Sequence, residues 1–229
     1  MKDCILFLPG RCRTKHIPYY RKLARGKFKV AVDGGYRFLR TCSLTPDLLI
    51  GDLDSVKRHE IKSLKRTRVL SYPVAKDKTD TQLALEYCCD ACAKNIDIVQ
   101  PAINEPDHFT ANLLLLTIRF RHGRHSEQLC VRIVNHRSEI RCLKDDSLTL
   151  RQARGERVSV IPLSQEITLS CSGTAFDVER LKVHRGMTVS TRNRIIADEA
   201  VIAVGGEALL FRLFPPGKRP STFCGSHDS

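Results

Sequence analysis

Short apolar runs alternating with amphipathic stretches fill the first half of the chain. Residues 4–8, 28–32, 48–50, 69–72 and 96–99 are brief and dominated by aliphatic and aromatic side chains, as buried strands of a parallel sheet are. Between them, residues 18–24, 36–42 and 60–65 and the stretch TDTQLALEYCCDACAKN read as helices. Phe109, Leu113, Leu116 and Phe120 put another apolar stripe at helical spacing. This alternation predicts a parallel sheet with helices on both faces. Beyond Gly123 the pattern changes. Runs at 129–134, 140–143, 157–163, 167–171, 189–191 and 201–204 are separated by polar turns, the punctuation of an antiparallel β-domain. VIAVGGEALLFRL reads as a hairpin turning at Gly205-Gly206. Residues 215–229 are rich in Pro, Gly and Ser and are expected to be disordered.

The net charge of +13 makes one acidic knot conspicuous. Asp52 and Asp54 follow the apolar run 48–50, and Asp33 follows the run 28–32 and precedes Gly34-Gly35. All three are therefore expected beyond the carboxyl ends of strands, where open α/β sheets hold ligands. The glycine pair lets the backbone turn tightly and approach a ligand. Asp77 and Asp80 stand at the start of the TDTQLALEY helix, which Thr79 or Asp80 would cap. Carboxylates gathered at one spot repel one another and call for a cation. A hard divalent ion such as Mg²⁺, paired with a phosphate-bearing substrate, answers that need. Any one of these aspartates taken singly is better explained as a cap or turn residue.

DGG, GDLDS and KDKTD, in this order and followed by an amphipathic helix, resemble the thiamine pyrophosphokinase family. The resemblance is strong over the first half and loose over the second. It implies ATP-dependent pyrophosphoryl transfer to the hydroxyl of thiamine, releasing AMP, with Mg²⁺ as cofactor. The implied fold is an α/β N-terminal domain with a mainly parallel, Rossmann-like three-layer sheet, residues 1–125. An all-β sandwich, residues 126–214, would bind thiamine and build a homodimer. The implied metal ligands are Asp52, Asp54 and Asp80, with Asp33 or Asp80 accepting or orienting the hydroxyl proton. Nucleotide contacts would come from Gly10, Arg11, Gly34, Gly35, Arg37, Lys76, Asp77, Asp107, His108 and Asn112. Thiamine would meet Phe176, Thr191 and Asn193.

Two departures bear on these expectations. Relatives carry a glycine-rich turn and an arginine before the Asp-His pair, whereas this chain reads Ala102-Ile103-Asn104-Glu105-Pro106. A glutamate there removes a phosphate partner. Arg192 stands where the family carries serine, and the chain has no Trp. An arginine aimed at cationic thiamine would repel it, which keeps another hydroxymethyl acceptor, such as a hydroxymethylpterin, in play. A non-catalytic nucleic-acid-binding protein is the other alternative raised by +13. Its basic residues are spread without aromatic interleaving, against that reading. There is no apolar run of membrane-spanning length and no signal-peptide pattern, so a cytoplasmic protein is expected. Ten cysteines are then reduced thiols, and Cys88, Cys89 and Cys92 are expected to pack on a helix face.

Overall fold

The computed structural model describes residues 3–75, 77–101, 105–118 and 129–218. It contains two compact units, residues 1–136 and 137–229. In the first, β1 (Asp3–Phe7), β2 (Phe28–Val32), β3 (Leu48–Gly51), β4 (Arg68–Ser71), β5 (Asn95–Val99) and β6 (Cys130–Val134) lie in the order β6-β5-β1-β2-β3-β4. Every pairing among them is parallel. The helices α1 (Ile17–Leu23), α2 (Gly35–Thr41), α3 (Arg58–Ser63), α4 (Asp80–Asp90) and α5 (Pro106–Leu115) follow β1 to β5 in turn.

The pleat sorts the strand side chains between these helices. Ile5 and Phe7 of β1 pack with Tyr19, Tyr20 and Leu23 of α1 and with Phe38 and Leu39 of α2. Cys4, one residue out of phase, meets Cys88 of α4 instead, as alternation along a strand requires. Chain order steps one way from β1 to β4, and then β5 joins the opposite edge of β1. The order therefore reverses between β1 and β5.

Residues 130–134, read from sequence with the antiparallel strands, pair parallel with β5 instead. An ion pair hidden there explains the polar residues in both strands. Asp97 and Arg132 stand opposite each other in register, each 0% exposed. Arg132 Nε donates to Asp97 Oδ1 at 2.6 Å and Lys27 Nζ to Oδ2 at 2.5 Å. Cys88 and Cys89 are buried on α4 while Cys92 is exposed. The apolar stripe of α5 buries Leu115 and Leu116 with Asn112; Phe120 lies outside the described residues.

In the second unit β7 (Ser138–Arg151) and β12 (Glu199–Leu213) form a long antiparallel ribbon. The far edge of β12 is shared. Its residues 201–205 pair with β9 (Glu166–Ser172) and its residues 208–213 with β8 (Arg157–Pro162). β10 (Val178–His184) adds to β9 and the short β11 (Asn193–Arg194) to β8. Residues 189–191, expected to be a strand, form a turn. The core joins Leu148, Leu150, Val158, Val160, Leu169, Ile202 and Leu210.

The hairpin expected at Gly205-Gly206 is not a hairpin. β12 runs through both glycines, and the pairing with β7 slips between Val204 and Glu207, a bulge with two residues facing one. Gly206 adopts φ 92 and donates its N–H to Asp145 Oδ1 at 2.7 Å. A Cβ there would stand 3.2 Å from Glu166 O. Gly206→Ala is therefore expected to cost about 1–2 kcal/mol, read as a lower urea midpoint for the second unit. An unchanged midpoint would contradict the strain at this position.

Candidate active site

The site begins with how β2 and β3 end. Asp33 continues β2 by one bond, its N–H reaching Ile50 O at 2.8 Å, and then turns to φ 44. Gly51 makes room, since a Cβ on it would come within 3.0 Å of Asp33 Cβ. Past β3, Leu53 takes φ 64 and Asp54 N–H donates to Asp52 Oδ1 at 3.1 Å. This tight turn brings Asp33, Asp52 and Asp54 together, with one carboxylate oxygen from each within 4.8 Å of the others. Asp52 and then Asp33 push the Asp54 carboxyl above its ordinary pKa by charge repulsion. Among the described residues this is the one group of such acidic or metal-ligating side chains.

Two residues support the group, Ser55, which the sequence reading did not assign, and Arg37, which it assigned to the nucleotide. Ser55 Oγ donates to Asp33 Oδ1 at 2.9 Å. Arg37, one turn into α2, donates to Ser55 O at 2.5 Å. The only hint in the sequence was the hydroxyl adjoining Asp54 in GDLDS. A cleft of about 570 Å³ opens here, lined by Gly10, Arg11, Cys12, Asp33, Gly34 and Arg37, with Thr41 and Ser55. Arg11 and Arg37 bring positive charge to a cleft whose one acidic lining residue, among the described residues, is Asp33.

The expected site residues separate on this geometry. Gly10, Arg11, Gly34 and Arg37 share the cleft with Asp33. Gly35 does not line it. It is buried, and a Cβ on it would fall 1.7 Å from Phe7 O, so this glycine lets α2 press against β1. Nor do the glycines make the turn after β2, because Asp33 holds the positive φ and Gly34 sits at φ −56. Asp80 opens α4, where Thr79 is the cap and accepts from Gln82 N–H. Asp80 stands outside the group formed by the other three carboxylates. Asp77 is exposed in the approach to α4, and Lys76 lies outside the described residues.

Asp107 is exposed in the first turn of α5. His108 Nδ1 lies 3.0 Å from Glu105 Oε2, with both side chains 68% exposed, so Glu105 answers a local histidine. Asn112 is buried and donates to Gln100 Oε1 at 3.3 Å. At the end of β5, Pro101 presses on the loop after β1: a Cβ on Gly10 would lie 2.2 Å from its Cγ.

In the second unit Phe176 is 74% exposed. Its loop is clamped by Asn193, whose Oδ1 accepts from Phe176 N–H at 3.2 Å and whose Nδ2 donates to Phe176 O at 2.8 Å. Asp177 accepts from Thr174 N–H at 2.8 Å, and this bond holds its carboxyl below the usual pKa. That contribution is present above the ordinary carboxylate pKa and fades as pH falls through the lowered value. Thr191 Oγ1 donates to Thr188 O. Arg192 is exposed at φ 61, its N–H on Ser159 Oγ.

A family model described as "Thiamin pyrophosphokinase, catalytic domain" matches residues 19–126. The chain is 23% identical over 171 residues to thiamine pyrophosphokinase of Bacillus subtilis, covering 73% of this chain and 78% of that protein. Among solved structures it resembles thiamine pyrophosphokinase from Bacillus subtilis, with a TM-score of 0.77 at 21% identity, over 93% of this chain and 100% of that one. The enzyme from Geobacillus thermodenitrificans matches with a TM-score of 0.75 at 21% identity, covering 95% and 99%. Thiamin pyrophosphokinase from Candida albicans matches at 0.74 and 15% identity, covering 93% and 89%. The fold is the mixed α/β fold of those enzymes. Residues 19–126 are thus similar to the catalytic domain of thiamin pyrophosphokinases, and the chain shares the fold of those enzymes.

Proposed function

We propose that this chain transfers a pyrophosphoryl group from ATP to the hydroxyl of thiamine, producing thiamine diphosphate and AMP. The observation that carries the reading is the meeting of Asp52 and Asp54 with Asp33, which lines the same cleft as Arg11 and Arg37. The match of residues 19–126, which hold these carboxylates, to a thiamin pyrophosphokinase catalytic-domain model supports it. The first unit is read as the Rossmann-like catalytic domain, and the second as a β-sandwich that presents Phe176 to thiamine and builds a homodimer. A cytoplasmic location agrees with thiols kept reduced, and no helix of the described residues is long and apolar enough to cross a membrane.

The acidic group fits Mg²⁺ by its donor chemistry, since its ligand atoms are all carboxylate oxygens and their mutual repulsion marks a deficit of positive charge. Asp33, Asp52 and Asp54 would hold it, and when bound it supplies neutralisation of phosphate charge. Ser55 fixes the Asp33 carboxylate, and Arg37 holds the Ser55 main chain in place. Arg11 and Arg37 draw the nucleotide phosphates into the cleft. The thiamine oxygen attacks the β-phosphorus, the bond from that phosphorus to the oxygen bridging to the α-phosphorus breaks, and AMP departs with the electron pair. Asp33 or Asp80 accepts or orients the hydroxyl proton. Such chemistry depends mainly on positioning and electrostatics.

Incubation with ATP, Mg²⁺ and thiamine is expected to yield thiamine diphosphate and AMP in equal amounts. AMP release with a hydroxymethylpterin but not with thiamine would replace the acceptor. No AMP with either would remove the reading.

A further inference from the structure

Cys4, Cys88, Cys89 and Cys171 are buried as small apolar packing residues, but one pair is arranged differently. Cys42 Sγ lies 3.8 Å from Cys12 Sγ. The two come from separate walls of the site. Cys12 lies in the loop after β1 and lines the cleft beside Gly10, Arg11 and Asp33. Cys42 caps the carboxyl end of α2, directly after Thr41, which also lines the cleft.

The backbone around the pair is unequally restrained. Cys42 is fixed, because its N–H bonds to Phe38 O and its carbonyl accepts from Arg21 Nε at 2.6 Å. Cys12 belongs to no helix or strand and is only half-buried. A disulfide needs its sulfurs at about 2 Å, so a shift of the Cys12 loop of under about 2 Å closes the gap. The other neighbouring pair, Cys4 and Cys88, is fully buried between β1 and α4 and is closed to reagents.

We propose that Cys12 and Cys42 are a reversible dithiol–disulfide couple that governs the nucleotide cleft. The oxidant is a small-molecule disulfide of the glutathione class. The Cys12 thiolate attacks one sulfur of it, the S–S bond breaks and one glutathione thiolate leaves. The Cys42 thiolate then attacks the Cys12 sulfur of the mixed disulfide and expels the second. The couple loses two electrons and two protons, and the reagent becomes two thiols. The new bond ties the loop bearing Gly10 and Arg11 to the end of α2. Gly10 already abuts Pro101, so the loop cannot yield without moving Arg11. Displacement on this scale costs phosphoryl transfer about tenfold or more.

Burial raises both thiols, Cys12 above its ordinary pKa and Cys42 to about 12. The thiolate fraction is small at neutral pH, and oxidation accelerates as pH rises from 7 to 8.5.

The experiment treats the full chain with oxidised glutathione at pH 8, alkylates the remaining thiols and maps the peptides. The expected product is a Cys12–Cys42 linked peptide, together with about tenfold lower ATP-dependent turnover that a dithiol reductant restores. Cys42→Ala is expected to keep the turnover of the reduced parent and, under the oxidant, to stop at glutathione on Cys12 with no internal link. In the parent, glutathione retained on Cys12 or Cys92 without an internal link overturns the couple. A Cys12–Cys42 link with unchanged turnover overturns its hold on the cleft. The turnover arm rests on the function proposed above. If the reduced protein shows no turnover, that reading fails while the mapped link still decides the couple.

Discussion

Asp54→Asn is expected to lower ATP- and Mg²⁺-dependent turnover by about 100-fold or more, the scale of losing one preorganised charge-stabilising group. The fold should survive, because Asp54 is exposed and is already repelled by Asp52 and Asp33. The measurement is the initial rate of AMP release against Mg²⁺ concentration, with thermal unfolding as control. Turnover equal to the parent's would end the assignment of these carboxylates to a metal.

The same shift fixes a pH dependence. An acid whose folded pKa is raised favours folding below its unfolded pKa and ceases to do so as pH rises through the folded value. Without a cation, the group therefore weighs against the fold at neutral pH. Metal binding competes with the proton, so the rise in Tm on adding Mg²⁺ should shrink as pH falls into the carboxylate range. In Asp54→Asn that dependence should largely vanish.

Asp97→Ala is expected to cost about 3–5 kcal/mol, the range for removing one partner of a buried ion pair. Both side chains are 0% exposed, so Arg132 keeps its charge in the interior after losing the 2.6 Å bond. Lys27 loses its bond to Oδ2 as well. Denaturant unfolding checks the value, and Asp97→Ala combined with Arg132→Met should recover part of it. A loss under about 1 kcal/mol would mean that the pair bears little on stability.

What the sequence revealed followed from the range of the interactions involved. Asp33, Asp52 and Asp54 were legible because each sits within a few residues of a strand end, and strand ends show as the close of an apolar run. Asp80 reads the same way locally, yet only the packing of α4 decides its distance from the others. The part played by Gly35 was hidden for the same reason, since its neighbour is Phe7 O on another strand. A run of charged residues concealed β10, where only Val183 is buried among seven residues. The glycine pair at 205–206 signalled a turn of the chain, but the ladder to β7 passes through it. Neither glycine announces whether the strand after it reverses or continues.

The placement of β12 constrains how the second unit is made. It is the last strand of that unit in sequence order, yet β7, β8 and β9 all dock on it. Its final pair joins Leu213 to Ser138, at the opposite end of the same segment. During synthesis the earlier strands emerge with no centre to assemble on, and loop closure over such separations is slow. Those unpaired edges are what a chaperone would find on the ribosome-bound chain.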